Sequence, residues 1–193
     1  MGANILDLIV STIDVMIENF SMESGNLQSS TNSERDRLVH WCHGAPGLVL
    51  LLILATRRLR SNSSLGSQRY LQRAISIAKN VIYPRGLLKK GVGLCHGISG
   101  NGYVLLQLSQ LLSELPGESN KQQGRIFRRW SLQYAAFAVD HLTNLKEIPD
   151  SPYSLFEGIG GLVSYLMDCH ATLPTGTNAT DHHHVLFPLY DHR

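Results

Sequence analysis

Three short stretches decide the fold: His43-Gly44-Ala45-Pro46-Gly47, His96-Gly97-Ile98-Ser99-Gly100 and Glu157-Gly158-Ile159-Gly160-Gly161. Each reads His/Glu-Gly-x-x-Gly and opens a mostly apolar run, at residues 48–55, 103–112 and 162–167. The leading glycines, at 44, 97 and 158, recur at intervals of 53 and 61 residues. A period near 50 with two elements per unit fits stacked helical hairpins. Propeller blades would need four short alternating strands per unit, and that alternation is missing. Between the apolar runs lie amphipathic stretches. Residues 70–82 place Leu71, Ala74, Ile75, Ile77, Ala78 and Ile82 at helical spacing, and 124–145 and 5–17 behave alike. The order is amphipathic helix, glycine loop, apolar helix, three times over. It predicts an all-α array of αα-hairpins with the apolar helices inside and the amphipathic ones outside. Residues 21–36, 57–67, 116–122 and 148–153 read as loops, and 171–193 as a polar tail.

Composition narrows the class. In 193 residues, 17 Lys+Arg stand against 15 Asp+Glu, and 43% apolar content is enough for a core. Near-neutral charge argues against a nucleic-acid partner, which needs clustered cations. Arg125, Arg128 and Arg129 read as the solvated face of a helix. Charged residues make up 17%, below the roughly 25% usual for soluble domains, which points to a surface partly occluded or incomplete. Three cysteines are not a disulfide framework, so a reducing compartment is expected. No signal peptide or membrane span is read: Asp7, Asp14 and Glu18 interrupt the first apolar stretch, and residues 48–55 are too few to cross a bilayer. The expectation is a soluble, intracellular protein. The triplet His182-His183-His184 reads as solvated tail.

The glycines have two available roles. A glycine turn before a helix lets the backbone approach a ligand and presents N–H groups at the positive helix end. It equally permits tight packing of inner helices, and spacing alone does not choose. No loop closes as a phosphate-binding signature. Two of them carry Cys before His, as Cys42-His43 and Cys95-His96. In a closed array both pairs project from the same end. Two thiolates and an imidazole suit borderline-soft zinc, and three protein ligands leave a position for water or substrate. The alternative is buried free cysteines, which are common. Cys169, outside the loops, reads as packing.

The segments His40-Trp41-Cys42-His43-Gly44-Ala45-Pro46-Gly47, Gly86-Leu87-Leu88-Lys89-Lys90-Gly91 with Gly93-Leu94-Cys95-His96-Gly97, and Ser154-Leu155-Phe156-Glu157-Gly158 resemble the C-terminal half of eukaryotic LanC-like (lanthionine synthetase C-like) proteins. The resemblance runs from about Leu6 to Met167. It implies that residues 1–170 form part of an α/α toroid, about three of seven hairpins around one zinc. By match, Cys42, Cys95 and His96 are the zinc ligands, and His43 lines the same pocket. Lys90 matches a lysine that contacts glutathione, and Asp150 falls in a segment that also touches it. The implied activity is addition of glutathione thiolate to dehydroalanine or dehydrobutyrine in proteins or peptides. The implied location is cytoplasmic, with room for peripheral membrane association.

Two departures accompany the resemblance. The family is about twice this length, and its Ala-His-Gly-type loop carrying the candidate general acid has no counterpart here, which leaves His43 as the stand-in. Glu147 stands before Ile148-Pro149-Asp150 where the family often has Arg, a loss worth about 1–3 kcal/mol to an anionic ligand. The chain therefore reads as an incomplete product of the family. Two other functions compete: a non-catalytic zinc- or glutathione-binding module, and a glycosidase-type α/α-barrel using Asp150 and Glu157 as an acid–base pair.

Overall fold

A computed structural model describes residues 5–60, 64–143, 151–173 and 187–188. Its helices are α1 (Ile5–Phe20), α2 (Ala45–Leu59), α3 (Ser64–Ile77), α4 (Ile98–Glu114), α5 (Glu118–Asp140) and α6 (Ile159–Ala171). α3 continues through a π turn, Ala78–Ile82, and a last turn, Tyr83–Arg85. The widening has a cause in Pro84, which offers no N–H and crowds the carbonyl four residues back. Buried Tyr134 compensates by donating its hydroxyl to the carbonyls of Ile82, at 2.7 Å, and Tyr83, at 3.0 Å. Among the described residues there is no strand, only an isolated bridge between Ser21 and Leu27.

The expected alternation holds. α1, α3 and α5 are amphipathic, whereas α4 is buried from Ile98 to Ser109 and again at Leu111 and Leu112. Leu48, Leu52 and Ile53 of α2 join Leu105, Leu108 and Leu111 of α4 in one core, each side chain contributing about 1.5–3 kcal/mol by burial. The first of these outer helices, α1, is fastened by polar contacts. Asp14 accepts from Tyr70 at 2.8 Å and from Arg69 at 2.5 Å. Glu114 at the end of α4 accepts from Arg57 of α2 at 2.8 Å.

Several boundaries differ from the sequence reading. The loop read at 57–67 is shorter, since α2 runs to Leu59 and α3 starts at Ser64. Arg57, inside α2, and Arg60, just beyond its end, both reach Glu114. The loop read at 116–122 shrinks likewise, with α5 starting at Glu118 behind Gly117, whose φ is 98°. Arg128 is not solvated: half-buried, it donates to the Thr172 carbonyl at the end of α6. α6 is less enclosed than α2 and α4, leaving Val163 and Met167 exposed. α1, at the other end of the array, exposes Ile5, Leu8, Ile9 and Val15. Within the tail, Phe187 is fully buried in the main core.

Candidate metal centre

The three glycine turns share one close approach. Gly47, Gly100 and Gly161 each press against the carbonyl of the residue six positions earlier, Trp41, Leu94 and Leu155, and a Cβ at any of them would overlap that oxygen. The next residues, Cys42, Cys95 and Phe156, are therefore presented alike. A backbone ladder then runs across the repeats. Cys42 N–H donates to the Cys95 carbonyl at 3.3 Å, and Cys95 N–H donates to the Phe156 carbonyl at 2.7 Å. Equivalent positions of successive turns are thereby brought side by side.

The open choice about the glycines resolves toward packing. The leading N–H of α4, from Ile98, donates to the Gly91 carbonyl at 3.0 Å, and that of α6, from Ile159, to Pro152 at 2.8 Å. In the first turn Gly44 sits at φ 122°, a left-handed value suited to glycine. There Ala45 N–H donates instead to the Asn26 side-chain oxygen at 2.8 Å, while Asn26 donates to the Leu38 carbonyl at 2.9 Å. These N–H groups are occupied within the chain.

The ladder gathers the expected ligands. Cys42 Sγ, Cys95 Sγ and a ring nitrogen of His96 all lie within 4.8 Å of one another. Tetrahedral zinc, with Zn–S near 2.3 Å and Zn–N near 2.0 Å, asks donors to stand about 3.5 Å apart. A side-chain adjustment of about an ångström closes that difference. Burial, the neighbouring Cys42 thiol and the carboxylate of Glu157 push the Cys95 thiol up to about 12. Two sulfurs so close resist ionising together without a cation between them. The donor set fits zinc and leaves a fourth position for a further ligand.

The surroundings sort the remaining candidates. His43 stands at the same repeat position as His96 but is turned out, exposed, with Nδ1 2.8 Å from the Ser29 carbonyl. That bond makes Nδ1 the N–H donor and leaves Nε2 to exchange protons. Lys90 is exposed, and its charge reaches both His40 and Cys95. An open cleft of about 490 Å³ borders Cys42 and His43, lined also by Met16, Leu27, Trp41, Leu48 and Leu51. Asp150, with residues 147–149 and 182–184, lies outside the described residues. Cys169 is buried 3.9 Å from Ser131 Oγ, as expected of a packing residue, and burial pushes its thiol up to about 11.

Two residues were not singled out by spacing. His40 is buried beside His96, ring centroids 6.0 Å apart. Burial, with the charges of His96, Lys90 and His43, lowers it to about 4, so it is neutral at pH 7. Asn26 is the other. The only hint in the sequence was its place in a polar loop, because its partners are two backbone groups and the Asp36 carboxylate, none at a repeating spacing.

Residues 3–175 match the sequence profile described as lanthionine synthetase C-like protein. The chain is similar to a Danio rerio protein named glutathione S-transferase LANCL1, 37% identical over 145 residues, covering 75% of this chain and 32% of that protein. It is also similar to an Arabidopsis thaliana protein named LanC-like protein GCL1, 29% identical over 160 residues, covering 83% of this chain and 34% of that one. The chain thus spans about a third of the length of these relatives. None of the helices among the described residues is long and apolar enough to cross a membrane.

Proposed function

Because the chain belongs to the lanthionine synthetase C-like family, we propose that it is a zinc protein of the thiol-addition type, joining glutathione to dehydroalanine or dehydrobutyrine residues of proteins. The observation that carries this reading is the convergence of Cys42, Cys95 and His96 within 4.8 Å with a fourth position open. The name of the Danio rerio relative points to glutathione, as does a cationic Lys90 whose charge reaches the site. Three free cysteines suit a reducing, cytoplasmic setting.

Cys42, Cys95 and His96 would hold the zinc, which when bound favours the thiolate form of a thiol placed in its fourth position. Lys90 pairs with a carboxylate of glutathione, a charge-assisted hydrogen bond worth about 1.5–3 kcal/mol. Asp150 is the second glutathione contact proposed from the resemblance. In the addition one C–S bond forms at the β-carbon of the dehydro residue. The double-bond electron pair moves toward the α-carbon and its carbonyl, and a proton must reach the α-carbon. His43 is the candidate donor of that proton, from Nε2, with its ring fixed by Ser29. The adjoining cleft has apolar walls for the acceptor's neighbouring side chains.

Elemental analysis of purified protein should find one zinc per chain, and Cys42→Ala should reduce this to near zero. Incubation with glutathione and a dehydroalanine peptide should yield the thioether adduct by mass spectrometry. Zinc without adduct would make the chain a binding module, and turnover by Cys42→Ala would remove the mechanism. A chain that takes up no zinc would instead favour the acid–base pair reading with Asp150 and Glu157.

A further inference from the structure

We infer that Phe187 is a positioning residue for the metal centre, acting through Trp41 on Cys42. The inference rests on the proposed zinc site. Its starting point is the burial of Phe187, which lies in a stretch read as polar tail and has no exposed surface. Its ring stacks on Trp41, centroids 5.5 Å apart and planes 24° from parallel. It meets Tyr103 of α4 edge-on at 5.6 Å. Trp41 in turn meets Phe156 at 5.7 Å.

Two members of this cluster are tied to the two sulfur ligands. Trp41 directly precedes Cys42, and Phe156 accepts the Cys95 N–H at 2.7 Å. One aromatic cluster therefore spans the first turn, the third turn, α4 and the tail, and both cysteines are attached to it. Trp41 is also the member with the weakest anchorage of its own. Its indole N–H is buried without a hydrogen-bond partner, so ring packing alone sets its orientation. Phe187 and Phe156 supply that packing. Without Phe187 the indole has room to turn, and the backbone of Cys42 turns with it. Partners that orient a metal ligand from behind it are worth about 10–100-fold in metal affinity.

The test is metal affinity in the full chain, read by competition of zinc against a chromophoric chelator, with the cobalt-loaded thiolate absorption as a second readout. Phe187→Leu, which keeps apolar bulk but loses the stack, should weaken zinc by at least tenfold and alter the cobalt spectrum. Phe127→Leu is the matched control, since Phe127 is equally buried but lies on outer helix α5. It should lower the melting temperature and leave affinity and spectrum unchanged. Trp41→Leu breaks the same stack from the other side, so the double variant should lose little beyond Trp41→Leu alone. Wild-type affinity and spectrum in Phe187→Leu would overturn the inference while leaving the site standing, as would fully additive losses. A wild-type chain that takes up neither zinc nor cobalt would overturn the site itself, and this inference with it.

Discussion

The first and second glycine turns carry the same Cys-His-Gly and hold it by different means. In the second, backbone suffices: Ile98 donates to Gly91, Gly100 donates to Gly93 at 3.3 Å, and Cys95 is half-buried. In the first, a left-handed Gly44 breaks that pattern and the Asn26 side chain bridges Leu38 and Ala45 in its place. Cys42 there is exposed and His43 faces out, whereas His96 joins the sulfurs. A repeated sequence thus yields one turn held by backbone alone and one that depends on a side chain from the loop preceding it. The asymmetry is what gathers three donors from two Cys-His pairs and leaves His43 outside the cluster.

The largest effect should come from breaking what the turns share. Gly100→Ala drives a Cβ into the Leu94 carbonyl, and neither helix nor turn can yield without moving the ladder. The expected cost is about 3 kcal/mol, the upper range for overpacking. Gly91→Ala, with open space at its Cβ, should stay within about 0.5 kcal/mol. Urea denaturation midpoints of the pair check this, and equal midpoints would refute steric closure as the glycines' role.

What separates the turns should break next. Asn26→Ala leaves a buried Ala45 N–H and the Leu38 carbonyl without their partners, a loss of about 2 kcal/mol. Its signature is local. Alkylation of Cys42 should accelerate relative to Cys95 in the metal-free protein, because only the first turn leans on Asn26. Parallel acceleration at both thiols would mean that the turns form one unit.

The contrast also explains what was legible in the sequence. Recurring glycines before apolar runs revealed the hairpin order, because close backbone approach and helical burial both leave periodic traces. The Cys-His recurrence marked Cys42, Cys95 and His96 for the same reason. Asn26, Phe187 and Arg128 left no such trace. Asn26 and Arg128 contact backbone carbonyls, which every residue has, and Phe187 packs across a long separation in an otherwise polar stretch. The two histidines that follow the cysteines look equivalent by repeat, and the structure separates them: His43 is exposed with the Ser29 carbonyl 2.8 Å away, whereas His96 joins the sulfurs.

The smallest expected effect concerns how the first turn's supporting loop is pinned, and it is readable by pH. Arg85 grips Asp36 through both carboxylate oxygens, at 2.9 and 3.1 Å, and donates again to its carbonyl at 2.9 Å, while Asn26 donates to the same carboxylate at 2.8 Å. The Arg85 guanidinium holds that carboxyl well below the usual carboxylate range. A depressed native pKa means that the unfolded chain takes up the proton first as pH falls. The stabilisation is therefore complete above the unfolded value of 3.8 and drains away below it. Both partners are about 30% exposed, so solvent screening limits the pair to about 1 kcal/mol. Asp36→Asn should lower the melting temperature at pH 7 by a few degrees, and the gap to wild type should shrink as pH falls below about 4. A gap that stays constant down to pH 3 would assign the loop's attachment to the neutral hydrogen bonds of Asn26 rather than to the charge.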